Sequence, residues 1–245
     1  MQNILLFIFT FIAYFVKAIT GFGNTLVMGS LFSFVVGNRL TTPIDLIFSI
    51  PTNMYIVFKE RKNISLKIVI PLSLMLMVGS IPGTLLLKVG NERVLKSGLG
   101  IVVIGLAIEM LIRKPAKQAI KKKNNPYILV VIGLVSGVMA GLYGIGALLV
   151  AYISRTTDNK SQFRANICCV FLVDNFFRFI LYWMTGLLNK EILFLTILLS
   201  PAVILGMMIG LKVDARIKEE TTRKIVIGLL IISGTILFLK SILNY

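Results

Sequence analysis

The chain has 245 residues, of which 57% are hydrophobic and 15% are charged, and its mean hydropathy is +0.91. A soluble domain carries roughly 25% charged residues, so this composition excludes a soluble protein and predicts an all-α polytopic membrane protein. The net charge of +16 does not indicate a nucleic-acid partner, because the basic residues cluster in short connections between apolar spans. The chain has no histidine, so we expect no metal site and no cofactor. Its two cysteines, Cys168 and Cys169, are adjacent in an apolar helix, which does not suit an ordinary disulfide.

The first apolar stretch, residues 2–36, is interrupted by the sequence Thr20-Gly21-Phe22-Gly23-Asn24. As a single helix these 35 residues would measure about 52 Å, which is too long to cross a hydrocarbon core of about 30 Å without extreme tilt. We therefore predict two helical arms that meet near the glycines.

The next helix is predicted to start with Thr42 as its N-cap, Pro43 at the first helical position and Asp45 in the first turn. It should extend to about Phe58. Two spans follow at 66–88 and 94–112, and the first of them contains a glycine and proline turn at residues 79–83.

Residues 133–146 hold five glycines in an apolar run. Glycine costs about 1 kcal/mol relative to alanine inside a helix, so this number needs a reason. The spacing of Gly137 and Gly141 is typical of close packing between membrane helices, and Gly144-Ile145-Gly146 is typical of a broken helix.

The second half of the chain repeats the pattern of the first. Residues 143–146 correspond to 20–23, 174–175 to 52–53, and 206–210 to 79–83, with offsets of 122 to 127 residues. Such internal repeats are typical of secondary transporters. We predict a first transmembrane repeat at 1–112, a basic cytoplasmic linker at 113–125 and a second repeat at 126–245. Each repeat is a glycine-broken helical hairpin plus about three transmembrane helices, which gives 8–10 membrane segments.

The distribution of basic residues favours repeats of inverted orientation. With this arrangement 18 Lys and Arg residues lie in inner loops and 6 in outer ones, whereas parallel repeats would give 12 and 12. Because positive charge accumulates on the cytoplasmic side, the sequence predicts two inverted repeats in a multi-pass membrane protein.

The two glycine-broken segments, 20–27 and 141–150, resemble the paired signatures of the sulfite exporter TauE/SafE family, as do the turn at 79–83 and the basic central loop. The resemblance covers nearly the whole chain. It implies secondary transport, without ATP, of small sulfur-containing anions or organic acids across a bacterial or archaeal plasma membrane. The chain departs from the family in one place, where Ala147 and Leu148 follow Gly146 instead of further glycines. The anion, the direction, the coupling ion and the oligomeric state, a homodimer included, are left open.

Broken helices expose backbone N–H groups and positive helix ends that bind anions. Mid-span polar side chains could add donors. The alternative is that the glycines only permit close packing and that the asparagines bond neighbouring carbonyls. The predicted substrate-binding residues are Thr20, Gly21, Phe22, Gly23, Asn24, Thr52, Asn53, Tyr143, Gly144, Gly146, Asn175 and Arg178.

Asp174 and Arg178 are ionisable residues within a span, which are costly and usually functional. Their spacing places them on one helix face. Arg178 could hold the anion while Asp174 relays a proton or orients the arginine. Alternatively the pair only joins helices, or Arg178 extends to the outer surface. Lys17 could likewise attract an anion or anchor its helix at the membrane interface.

The expected partners are a small anionic substrate and the lipid bilayer. A passive anion channel is one alternative, and it would conduct without coupling to an ion gradient. A membrane enzyme or a subunit of a membrane complex is disfavoured, because the chain has no histidine and no in-membrane acid pair for catalysis.

Overall fold

The computed structural model describes residues 2–33, 35–112, 126–157 and 159–214, and the regular elements within these ranges are all helical. The predicted basic linker at 113–125 and the last part of the predicted second repeat, residues 215–245, lie outside the described residues. The helices are α1 (Gln2–Thr20), α2 (Asn24–Phe32), α3 (Asn38–Lys59), α4 (Leu66–Val89), α5 (Glu92–Ile112), α6 (Pro126–Tyr143), α7 (Ala147–Thr156), α8 (Lys160–Met184) and α9 (Lys190–Asp214), with a short 3₁₀ helix at Arg61–Asn63.

Within the described ranges, four helices are long and apolar enough to cross a membrane. They are Gln2–Thr20, Leu66–Val89, Lys160–Met184 and Lys190–Val213, and a shorter apolar helix covers Val130–Tyr143. The prediction of an all-α polytopic membrane protein agrees with these helices.

Both predicted helix breaks are confirmed. The chain leaves α1 through Gly21 and Gly23, whose φ angles are 84° and 90°, and it leaves α6 through Gly144, whose φ is 73°. Residues other than glycine rarely adopt these left-handed backbone angles. After each break a short helix contacts the one before it, α2 on α1 and α7 on α6.

The order of helix lengths is the same in the two halves. The helices α1 to α4 have 19, 9, 22 and 24 residues, and α6 to α9 have 18, 10, 25 and 25. This agreement supports an internal repeat, while the inverted orientation of the halves stays a prediction.

The described chain forms two compact units that take helices from both predicted repeats. Unit 1 contains residues 2–48, 89–112 and 188–214, which are α1, α2, the first part of α3, α5 and α9. Unit 2 contains residues 49–88 and 126–187, which are the rest of α3, α4, α6, α7 and α8. The two units are defined by which helices pack together, whereas the two repeats are defined by similarity along the sequence.

Each unit contains a pair of helices whose backbones touch at glycines. In unit 2, a Cβ atom added to Gly79 of α4 would lie 2.3 Å from the carbonyl oxygen of Leu134 in α6. In unit 1, a Cβ atom added to Gly206 of α9 would lie 2.7 Å from the carbonyl oxygen of Phe11 in α1. Small residues permit this close approach of membrane helices. The close-packing role predicted for Gly137 is confirmed, since its added Cβ would lie 2.4 Å from the carbonyl oxygen of Leu76.

The glycine and proline turn predicted at residues 79–83 is wrong. Helix α4 continues through Pro82, and Gly79 and Gly83 form the surface that packs on α6.

The predicted start of α3 is also wrong. The helix begins at Asn38, where the amides of Leu40 and Thr41 donate to the carbonyl of Gly37. The predicted capping residues 42–45 therefore lie inside the helix, and Asp45 is buried. Its end at Lys59 is one residue beyond the predicted one.

Candidate functional site

Unit 2 contains a buried cluster around Arg178, which we call the arginine cluster. The Arg178 guanidinium donates from Nε to Asp174 Oδ2 at 2.7 Å, from Nη1 to the carbonyl of Ala140 at 2.8 Å, and from Nη2 to Asn175 Oδ1 at 2.6 Å. Arg178 is 4% exposed and Asp174 is fully buried. The predicted pairing of these two charges is confirmed, and the interpretation in which Arg178 extends to the outer surface is wrong.

The arginine cluster holds the end of α6 at the second break. The Ala140 carbonyl lies in the last turn of α6 and accepts two hydrogen bonds, one from the Gly144 amide at 2.8 Å and one from Arg178 Nη1. The next carbonyl, of Gly141, accepts from the Tyr182 hydroxyl at 3.1 Å. A cation at the carboxyl end of a helix is also electrostatically favourable. Helix α8 thereby fixes α6 immediately before Tyr143 and Gly144.

The arginine cluster has unused hydrogen-bonding capacity. A guanidinium carries five N–H donors. Each of the three nitrogens has a partner as described, and the Tyr182 hydroxyl lies beside the group. Asp174 Oδ1 is fully buried, and no described residue donates to it. The Ser80 hydroxyl lies close to this carboxylate, but it donates to the carbonyl of Met77 at 2.9 Å.

The short helices after the breaks begin without a capping side chain. Gly146 precedes α7 and Gly23 precedes α2, and neither helix has a side-chain hydrogen bond at its N-cap. The first amides of an uncapped helix lack intrahelical acceptors, as the hypothesis of anion binding at the breaks requires.

Unit 1 contains a second buried cluster, around Asp45, which we call the aspartate cluster. Asp45 Oδ1 accepts from the Tyr14 hydroxyl at 2.8 Å and from Asn24 Nδ2 at 2.7 Å, and Oδ2 accepts from the Thr25 hydroxyl at 2.5 Å. Asp45 is 3% exposed. These bonds tie α1, α2 and α3 together beside the first break, so a carboxylate lies at the amino end of α2.

Lys17 is buried in unit 1, with 1% of its surface exposed, so its interpretation as an interfacial anchor is wrong. Its ammonium group lies 5.5 Å from the centre of the Tyr14 ring, within the range of a cation–π interaction.

A family model described as "Sulfite exporter TauE/SafE" matches residues 6–237. The chain belongs to this family. The match includes both glycine breaks and both clusters, and it confirms the resemblance in the sequence. Searches of curated proteins and of solved structures return no significant match. Membership in the TauE/SafE family, together with the membrane-length helices, makes this protein a membrane transporter of a family named for sulfite export.

The predicted binding residues of this TauE/SafE protein are divided between the two units. Residues 20–24 lie in unit 1, where the Thr20 hydroxyl donates to the carbonyl of Val16 at 2.9 Å. The other predicted residues lie in unit 2. There, Asn175, which directly follows Asp174 in α8, accepts from Arg178, and Arg178 lies one turn beyond Asp174.

Thr52 and Asn53 are buried in the part of α3 that belongs to unit 2. The Thr52 hydroxyl donates to the carbonyl of Ser49 at 3.2 Å. The Asn53 side-chain oxygen has no donor among the described residues. Their part in substrate binding stays a prediction.

Sequence reasoning missed Asp45, Tyr14, Thr25 and Tyr182 as members of buried polar clusters. Asp45 carried a usable signal, because an acid within an apolar helix is costly and usually functional. The strong capping pattern at residues 42–45 concealed it. The two free cysteines, Cys168 and Cys169, form no disulfide, as the sequence predicts.

Proposed function

We propose that this TauE/SafE protein is a secondary transporter that exports sulfite, or a related sulfonate-like anion or organic acid, across the plasma membrane. The family match over residues 6–237 supports a sulfur compound as the substrate. The observation that carries the proposal for this chain is Arg178, a buried cation on a membrane-length helix at the end of a broken one.

A guanidinium suits a small oxyanion because its planar N–H groups match two oxygens at once. In the described state Asp174 occupies the Nε side of Arg178. An arriving oxyanion competes with that carboxylate for the guanidinium. Because an unpaired charged carboxylate is costly in the interior, its release favours the uptake of a proton. We therefore propose Arg178 as the anion-binding residue and Asp174 as the residue that couples anion binding to a proton.

We place the anion at the second break. At the first break the Asp45 carboxylate lies against the side chains of Asn24 and Thr25, and two negative charges in a low-dielectric interior repel strongly. At the second break the nearby charged pair includes a cation, and the amides at the start of α7 have no capping side chain.

The inverted repeats remain part of this proposal. The 18 to 6 division of basic residues and the shared order of helix lengths support them. Repeats of this kind allow a binding site to open to either side of the membrane by the movement of one bundle against another.

The test is exchange of radiolabelled sulfite in proteoliposomes that contain the purified protein. We expect unlabelled sulfite to compete and Arg178→Gln to abolish exchange. Arg178→Lys keeps the charge but loses the planar fork, so exchange should fall strongly while the protein stays folded. Gly105→Ala, on an open helix surface, is the matched control and should exchange normally. Wild-type exchange by Arg178→Lys and Arg178→Gln would remove Arg178 from the site, and an absence of any sulfite exchange would overturn the proposed function.

A further inference from the structure

Helix α4 carries a row of hydroxyl side chains on its buried side. Ser73, Ser80 and Thr84 fall within about 40° of arc at 100° per residue. They are 4%, 0% and 1% exposed. Their neighbours Leu74 and Leu85 face outward and are 52% and 50% exposed. The row therefore lies on the buried side of α4 and not on its exposed side.

Two of these hydroxyls are not satisfied in the way that helical hydroxyls usually are. In an apolar helix, Ser and Thr commonly donate to the carbonyl four residues earlier, as Thr196 does to Ile192 at 2.7 Å. The hydroxyls of Ser73 and Thr84 have no partner among the described residues. A buried hydroxyl without a partner destabilises the fold, so packing alone does not explain the row.

The row leads to the arginine cluster. Ser80 lies close to the Asp174 carboxylate, and Asp174 Oδ1 has no donor among the described residues. Helix α6, which packs on α4, contributes Ser136, which is fully buried and whose hydroxyl likewise has no described partner. Unsatisfied polar groups from α4, α6 and α8 are thus all buried in unit 2.

Helix α9 of unit 1 provides a comparison within the same chain. Aligning Gly206 and Gly210 with Gly79 and Gly83 places Met207 and Leu211 at the positions of Ser80 and Thr84. Helix α9 packs on α1 through its glycines as α4 packs on α6, and it does so with apolar residues at these positions. The position of Ser73 corresponds to Ser200, whose hydroxyl donates to the carbonyl of Thr196 at 2.7 Å. Close packing of such a helix therefore does not require hydroxyls at the positions of Ser80 and Thr84, and at the position of Ser73 the hydroxyl of α9 is satisfied within its own helix.

We propose that the buried face of α4 formed by Ser73, Ser80 and Thr84 lines the path of the anion through unit 2. This inference rests on the proposed function. The hydroxyls donate hydrogen bonds to a partly dehydrated oxyanion without adding a fixed charge that would trap it, and Arg178 provides the binding site. From Ser73 to Thr84 the row covers about 16 Å, roughly half of a hydrocarbon core of about 30 Å.

The test uses single cysteines in a protein that carries Cys168→Ala and Cys169→Ala. Ser73→Cys, Ser80→Cys and Thr84→Cys are compared with Leu74→Cys and Leu85→Cys on the outer face of the same helix. Each variant is reconstituted and treated with iodoacetate, a small anionic reagent that forms an irreversible thioether, with and without sulfite. The rate constant of thiol alkylation is calculated from the iodoacetate that remains in each reaction, because sulfite also consumes the reagent. Because the reagent attacks the thiolate, which forms poorly in apolar surroundings, thiols along the path should react at least about tenfold faster than the controls.

Sulfite should slow modification of the three path thiols and leave the two controls unchanged. The proposal is overturned if Ser73→Cys and Thr84→Cys react no faster than their leucine neighbours, or react without protection by sulfite, while the cysteine-free protein exchanges sulfite normally. If the cysteine-free and wild-type proteins both fail to exchange sulfite, the proposed function fails instead. Should Thr84→Cys not fold, the matched pair at positions 73 and 74 decides.

Discussion

Replacing Gly79 with alanine tests the contact between α4 and α6. The added Cβ atom would lie 2.3 Å from the carbonyl oxygen of Leu134 and 2.9 Å from the Cα atom of Gly137. Both obstacles are backbone atoms, so no side-chain rotation relieves the overlap. A carbon and a carbonyl oxygen normally stay about 3.3 Å or more apart, so the two helices must separate by about 1 Å.

The expected loss of stability follows from two opposing terms. Overpacking costs typically about 1–3 kcal/mol, and the backbone obstacles place Gly79→Ala at the upper end. Alanine recovers up to about 1 kcal/mol of helix propensity, so the net loss should be about 2 kcal/mol. At roughly 2–4 °C per kcal/mol for a chain of this size, Tm should fall by about 4–8 °C.

The matched control is Gly105→Ala in α5, where an added Cβ would meet no heavy atom within 4 Å. There only helix propensity acts, and Tm should stay the same or rise. Thermal unfolding in detergent is followed by the fluorescence of Trp183, the single tryptophan, which lies in α8 of unit 2. A Gly79→Ala protein as stable as Gly105→Ala would show that the two helix backbones do not touch at this glycine.

Three further predictions concern the charged clusters and the membrane orientation. Asp174→Asn and Arg178→Gln should each lower the free energy of unfolding by about 3–5 kcal/mol, because each leaves a buried charge unpaired. The double variant should recover stability. Full sulfite exchange by that double variant would show that the pair is only structural. Asp45→Asn should lower the free energy of unfolding by about 2–3 kcal/mol, because a charged acceptor of three hydrogen bonds is lost, and an unchanged Tm would contradict the aspartate cluster. A single cysteine at Asn159, which is exposed, should be labelled only from the cytoplasm, and labelling in intact cells would exclude the inverted arrangement.

The helix breaks could be predicted from sequence because their cause is local. At Gly21, Gly23 and Gly144 the backbone needs positive φ angles, and closely spaced glycines in an apolar run indicate that need directly. The span at 66–88 could be predicted for a similar reason, since length and hydropathy are properties of the segment itself.

The errors in the fold have non-local causes. The glycines at 79 and 83 indicate a turn only while their partner is unknown, and that partner is in α6, about 55 residues along the chain. The capping pattern at Asp45 is locally convincing, yet the carboxylate accepts its hydrogen bonds from α1 and α2. A capping rule has no access to such tertiary contacts.

Only part of the candidate site could be predicted, because some of its contacts are local in sequence and others are not. The spacing of Asp174 and Arg178 along one helix was sufficient to predict their ion pair. The bond from Arg178 to the Ala140 carbonyl, and the nearness of Ser80 to Asp174, depend on how three separate helices pack. Their residues are far apart in sequence, so no local pattern indicates them.

The interleaving of the two units has a consequence for the origin of the chain. Helix α4 of the first half packs on α6 of the second, and α9 of the second half packs on α1 of the first. If the halves arose by duplication of one gene, the single ancestral polypeptide already had to exchange its fourth helix with a second copy. In that case fusion would turn an exchange between two molecules into an exchange within one chain. In the present chain each unit takes helices from both halves, so neither half holds a whole unit.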